Sequence, residues 1–243
     1  MNFRRMAQIE DRIIASYEKR HAKAIRRALI EQSEHFLKHG DINNALYPVI
    51  SELYDEVMTF FLPRQWKQLE GETVKAGFFL SEWLIWIQVF KEANLAKKVT
   101  DIDDTTRERL RHISERATAE GLEFEVIVQR IKNGGIASAK RALMIARTET
   151  ANAVNISKTK SADDWEIDSG RELGKIWIHR GAKDPRDWHL SLDNGTMIRK
   201  EETWSVTDPN TGQTDYMKHP HDLNASAGNV INCGCQVLYK RWK

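Results

Sequence analysis

Cysteine is nearly absent from this sequence: 243 residues hold two, Cys233 and Cys235, too few for a disulfide framework. An apolar leader is absent as well. The opening "MNFRRMAQIEDRII" acquires charge at once, which points to a protein made and kept in a cytoplasm-like compartment. No run is long enough to span a bilayer, which takes roughly 20 apolar residues. The most apolar window, "GFFLSEWLIWIQVF" from Gly77 to Phe90, is shorter and carries Glu82, so it predicts a helix that is buried or docked on a partner. Neither sign of charge dominates: the formal net charge is +2, and any polyanion-facing surface must come from local clustering. A phosphate loop, a dinucleotide fingerprint, a His-Glu-x-x-His helix and a nucleophile elbow are all missing.

What is present is an ordinary mixture, 41% hydrophobic and 30% charged, with enough apolar material for one large domain or two modest ones. Charge does cluster locally. Between Val126 and Lys160 the cations Arg130, Lys132, Lys140, Arg141, Arg147, Lys158 and Lys160 meet one acid, Glu149. Such a stretch is either a solvated helix face in an oligomer or a surface for phosphate, with Arg130, Lys132, Lys140, Arg141, Lys158 and Lys160 as the DNA contacts.

From Phe3 to His39, Met6, Ile9, Ile13, Tyr17, Ile25, Leu29 and Phe36 recur at three- or four-residue steps or their multiples, which predicts a helix. Gly40 stops it and Asp41 caps the next segment, which contains Pro48; Pro63 predicts a break before Arg64 to Lys98. A further helical block spans about Asp103 to Glu120 and closes at Gly121. A short amphipathic helix ends at Gly134 and Gly135, and a long helix with Ser138 near its start follows. After Trp165 the texture changes to glycine, proline, aspartate and short alternating runs. There "KIWIH" predicts a strand and "DPRDWHLSLDNG" a short helix with Asp184 as N-cap and Pro185 at its first position. "TMIRKEETWSV" predicts a strand pair, Thr207 to Asn229 mostly loop, and "VINCGCQVLYK" a last strand. The expected class is α+β: an extended helical body over residues 1–135 and a small mixed α/β domain over 136–243.

The cysteines offer the clearest chemistry. Residues one apart in a strand share a face, so Cys233 and Cys235 could hold one metal, or simply lie buried as two small thiols. Further ligands would come from His189, His219, His221 or Asp222. Asp184, Arg186, Asp187 and His189 could form a general base with an orienting carboxylate; alternatively Asp184 caps, Arg186 pairs with a carboxylate and His189 faces the cysteines. On the long helix, Asn152 and Asn155 share a face. If buried they must find partners, which would lock the helix to the domain that follows.

In this order, "IARTETANAVN", Trp177, "DPRDWHLSLDNG", "HPHD" and "NVINCGC" together resemble the phage minor head, or head morphogenesis, proteins of the phage Mu F type. The resemblance covers roughly Ile136 to Lys240. It places the family's characteristic residues at Arg147, Glu149, Asp184, Arg186, His189, Asp222, Asn232, Cys233 and Cys235; His219 and His221 correspond to none. Gly234 stands where the family usually has arginine, and Asn194 intervenes between Asp193 and Gly195. The resemblance implies a low-copy component inside a phage head, made in the bacterial host cytoplasm and associated with the portal and other capsid proteins. It would act in head assembly and in packaging or ejection of double-stranded DNA, bound without sequence preference, and would work without catalysis. The metal set expected is His189, Cys233, Cys235 and Asp222 around one zinc ion. The alternative is a metal-assisted hydrolase or transferase-like enzyme using His189, Glu149 and the cysteine pair.

Overall fold

The computed structural model describes residues 3–70, 79–133, 135–180 and 185–242. Five helices come first: α1 (Phe3–His39), α2 (Leu46–Glu70), α3 (Leu80–Ala119), α4 (Phe124–Asn133) and α5 (Ala139–Ser169). A smaller mixed region follows, with β1 (Leu173–Ile178), α6 (Asp187–Leu190), β2 (Ile198–Arg199), β3 (Trp204–Thr207), β4 (Thr214–Met217), α7 (Ala227–Val230) and β5 (Gln236–Arg241). The α+β architecture is therefore as expected. Among the described residues no helix is long and apolar enough to cross a membrane.

Pro63 does not end its helix. It lies inside α2, where Phe61, Leu62, Trp66 and Leu69 are all buried, so packing on both sides outweighs the lost backbone hydrogen bond. Likewise the two segments expected on either side of Asp101–Asp104 are one helix, because no glycine or proline interrupts α3 before Gly121 takes φ +66°. Ser138 caps α5, its hydroxyl accepting from the Arg141 N–H at 3.2 Å, and Gly170 closes it in the left-handed conformation. Gly134 lies outside the described residues.

Helix α5 is the centre of the molecule. Thr148 through Lys158 is buried without a break, the pattern of a helix enclosed on all sides. It packs against α1, α2 and β5. Trp66, Trp83 and Trp165 are fully buried; the Trp83 indole donates to Asp164 at 2.8 Å and that of Trp165 to Glu70 at 2.7 Å, whereas the Trp66 indole N–H has no hydrogen-bond partner among the described residues.

Beyond α5 the chain forms an antiparallel sheet of order β2-β1-β5 and a β3-β4 hairpin. In the sheet Ile176 pairs with Leu238 and Ile178 with Gln236. Gly174 permits the close approach of Met197 and Trp242, each 2.7 Å from where a Cβ would stand. The expected strand pair in "TMIRKEETWSV" is present as β2 and β3, but they belong to different sheets. The span expected as loop carries β4 and α7.

Candidate metal centre

Three segments distant in sequence converge on His189, Cys233 and Cys235, all buried. Their ligand atoms lie within 4.8 Å of one another, with His189 Nδ1 at 3.4 Å from Cys233 Sγ and 3.8 Å from Cys235 Sγ. Around a tetrahedral zinc, bond lengths of about 2.3 Å to sulfur and about 2.05 Å to nitrogen put those atoms roughly 3.6 Å apart. The donor set fits a metal in both spacing and chemistry.

The cysteines do not reach this position by strand alternation. They precede β5, in a turn where Asn232 takes φ +57°, a conformation asparagine tolerates better than most residues. The Asn232 N–H donates to Thr148 Oγ1 at 2.9 Å. Asn155 of α5 donates from Nδ2 to the Cys235 carbonyl at 3.2 Å and accepts from the Val237 N–H at 2.8 Å. Asn155 thus locks α5 to the cysteine segment, whereas the side-chain carbonyl oxygen of Asn152 is buried with no hydrogen-bond partner among the described residues. The Cys235 N–H donates to Cys233 Sγ at 3.4 Å. A hydrogen bond from Cys235 is the main influence holding the Cys233 thiol well below its ordinary range, against burial; His221 and His189 add to it. The same bond, with burial, pushes Cys235 well up.

The orientation of His189 follows from its neighbours. Asn229 Oδ1 accepts from the Trp188 indole N–H at 2.8 Å, and its Nδ2 donates to the Val206 carbonyl at 3.2 Å and to Asp215 Oδ2 at 2.8 Å. The indole can only donate and those oxygens can only accept here, so the Asn229 amide has one orientation. His189 Nε2, 3.1 Å from Asn229 Oδ1, must therefore carry the hydrogen, and Nδ1 keeps its lone pair for the sulfurs' side. Asp215 anchors the chain of bonds, accepting also from the Ser226 N–H and Oγ–H at 2.9 and 2.6 Å. Burial raises its carboxyl, but the donors from Ser226, Asn229 and Gln213 together hold it below its ordinary value. Asn229→Ala should weaken metal binding by about 10–100-fold, measured by chelator competition, because the ring loses the group that fixes its tautomer.

Other expected site residues lie elsewhere. Asp222 does not join the cluster: its carboxylate accepts from the Lys218 and Asn224 N–H groups at 2.9 and 3.1 Å, holding the loop. His219 donates from Nδ1 to the Pro220 carbonyl at 2.9 Å, and His221 from Nε2 to the Cys233 carbonyl at 2.9 Å. Arg186 donates to the Ile231 carbonyl at 2.7 Å rather than to a carboxylate, and it occupies the N-cap of α6. Asp184 lies outside the described residues. Glu149 belongs to a separate buried group, accepting from the Tyr54 hydroxyl at 2.7 Å with Lys98 at 3.8 Å, and Arg147 faces Glu18 at 3.6 Å.

The basic stretch is not one phosphate-facing surface. Lys158 is fully buried, donating to Glu10 at 2.6 Å and Gln236 at 2.8 Å, and Arg141 is buried, donating to the Ile136 carbonyl and Thr106. Neither can reach a phosphate: both serve as internal partners for α1, α3 and β5. Lys160 pairs with Asp164 and Arg130 with Glu120, Lys140 is exposed, and the Lys132 side chain is not described.

Sequence reasoning missed Lys175. It is buried on β1, donates to the Lys218 carbonyl at 2.8 Å and sits 4.8 Å from the centre of the Trp204 ring. Burial, reinforced by Lys200 and Lys218, pushes its amine down to about 8. The folded state then sheds this proton at lower pH than the unfolded chain does, so this residue makes stability rise as pH increases through about 8 towards 10.5. Lys175→Met should flatten that rise and raise the urea midpoint at neutral pH. Only its place in an otherwise apolar strand, "LGKIWI", could have signalled it.

The family model described as Phage Mu protein F like protein matches residues 108–238, more than half of the chain, and the chain belongs to that family. No curated protein and no solved structure matches it. The expectation of a protein without catalytic equipment is overturned: two thiols and one imidazole, buried and mutually in range, are a three-ligand set of the kind metalloenzymes use.

Proposed function

We propose that this member of the family is a metal-assisted hydrolase whose centre is His189, Cys233 and Cys235 holding one zinc ion. The observation carrying this reading is the ligand count. Three donors stand in range, and among the described residues no fourth His, Cys, Asp or Glu joins them. Closed structural sites have four protein ligands; catalytic ones have three. Ile231 and Asn232, which precede Cys233 in the chain, are exposed, and Gly234 between the cysteines is half-buried. When bound, the ion would supply Lewis-acid polarisation of a carbonyl or phosphoryl oxygen. The chain's own residues hold the ligands: Asn229 fixes the imidazole, Asn155 the cysteine segment and Thr148 the turn before it.

The protein purified with zinc should hold about one equivalent. X-ray absorption should show two sulfurs, one nitrogen and one light, exchangeable ligand, and hydrolysis of a model phosphodiester or ester should be lost in His189→Ala. A shell completed by a fourth protein donor, or full turnover in His189→Ala, overturns the hydrolase reading.

Membership of the family supports setting this chemistry inside the phage head, next to the portal, during head assembly and DNA packaging or ejection. Mass spectrometry of purified particles should find the chain at low copy. Its absence from them would remove it from the virion.

A further inference from the structure

Among the described residues α1 carries more solvent-facing cations than any other element. Between Gln8 and Ile30 the helix carries three acids, and all three are engaged on its inward side. Glu10 pairs with Lys158 and Arg64, Asp11 with Arg180, and Glu18 with Arg180 and Arg147. The six cations of the same stretch, Arg12, Lys19, Arg20, Lys23, Arg26 and Arg27, are all exposed. Interior pairing thus consumes the negative charge between Gln8 and Ile30 and leaves the outer face of that stretch positive.

Part of that face forms the wall of an open groove of about 530 Å³ between α1 and α2. Lys19, Arg20, Lys23 and Arg27 line it, with the small residues Ser16 and Ala24 leaving room between them. On the α2 side, Glu56 is neutralised by Arg20 and bonded by His21 at 3.0 Å, which leaves Glu52 as the remaining acid. Lys19, Lys23 and Arg27 make no ion pair among the described residues. Four residues apart, they stand at successive steps of roughly 6 Å along the helix, a row about 12 Å long. A row of uncompensated cations at regular steps suits a polymer that repeats one negative charge per unit.

We propose that this face of α1 binds the phosphodiester backbone of double-stranded DNA, without reading its sequence. The site is separate from the cysteine centre, and it lies on a different element from the basic stretch at Val126 to Lys160. Binding would be dominated by counterion release, so affinity should fall steeply with salt, by about 0.9 in the logarithmic slope for each phosphate neutralised.

The test is fluorescence anisotropy of the full chain on a short labelled duplex of arbitrary sequence, titrated between about 50 and about 200 mM salt. Lys19→Ala/Lys23→Ala/Arg27→Ala, all exposed positions, should lower the slope by roughly 2–3 and weaken low-salt binding at least about tenfold. Arg130→Ala/Lys140→Ala should leave both nearly unchanged, and an unaltered urea midpoint shows that the triple variant is folded. Three results overturn the proposal: no binding by the wild type at low salt, equal slopes in wild type and triple variant, or displacement of the duplex by polyglutamate at equal charge concentration.

Discussion

Lys158→Ala should destabilise the chain by about 3–5 kcal/mol, read as a drop in urea midpoint, because it strips a buried carboxylate of its main partner. Glu10 and Lys158 are both fully buried, 2.6 Å apart, with Gln236 Oε1 at 2.8 Å and the Val237 carbonyl at 3.3 Å completing the shell of the amine. The pair ties α1, α5 and β5 together at one point. Burial raises the Glu10 carboxyl, but Lys158, with Gln68 and Arg64, outweighs it and holds the group below its ordinary 4.5. A depressed carboxyl contributes stability that is complete above 4.5 and lost as pH falls through the folded value. In Lys158→Ala that contribution should vanish or change sign. The paired replacement Glu10→Leu/Lys158→Met should cost much less, since it removes both charges together. Equal losses in the single and double variants would show that the pair is not the cause.

Cys233→Ser should reduce metal affinity by well over the roughly 100-fold ceiling expected for Asn229→Ala, because it removes a ligand rather than a group that orients one. Cys235→Ser should do the same, and cobalt substituted for zinc should lose thiolate-to-metal absorption in each. Asp222→Asn should leave affinity close to wild type, since that carboxylate is engaged with the Lys218 and Asn224 N–H groups. An Asp222→Asn loss as large as that of Cys233→Ser would mean that the loop rearranges to supply a fourth ligand.

The helical body is legible from spacing alone, because the apolar residues of α1 recur with the helix period and one side of it faces solvent. Helix α5 defeats the same logic. From Thr148 to Lys158 it is walled in by neighbours, so its cations say nothing about surface, and Lys158 and Arg141 read as phosphate contacts when they are internal partners. Pro63 shows tertiary packing overriding a local breaker. At the metal centre the motif residues His189, Cys233 and Cys235 are visible in the sequence. Their convergence depends on a left-handed turn at Asn232 and on bonds from Thr148 and Asn155, across 80 residues and more. Asn229 and Asp215 could not be singled out, because their roles arise from what the fold sets beside them.

The enclosure of α5 also bears on how the molecule could be taken apart. A protease that nicked the turn between Glu120 and Glu123 would sever the backbone without freeing either piece. The rod from Ala139 to Ser169 would remain plugged between the first two helices like a dowel. The halves should therefore co-elute on sizing columns and come apart only in denaturant.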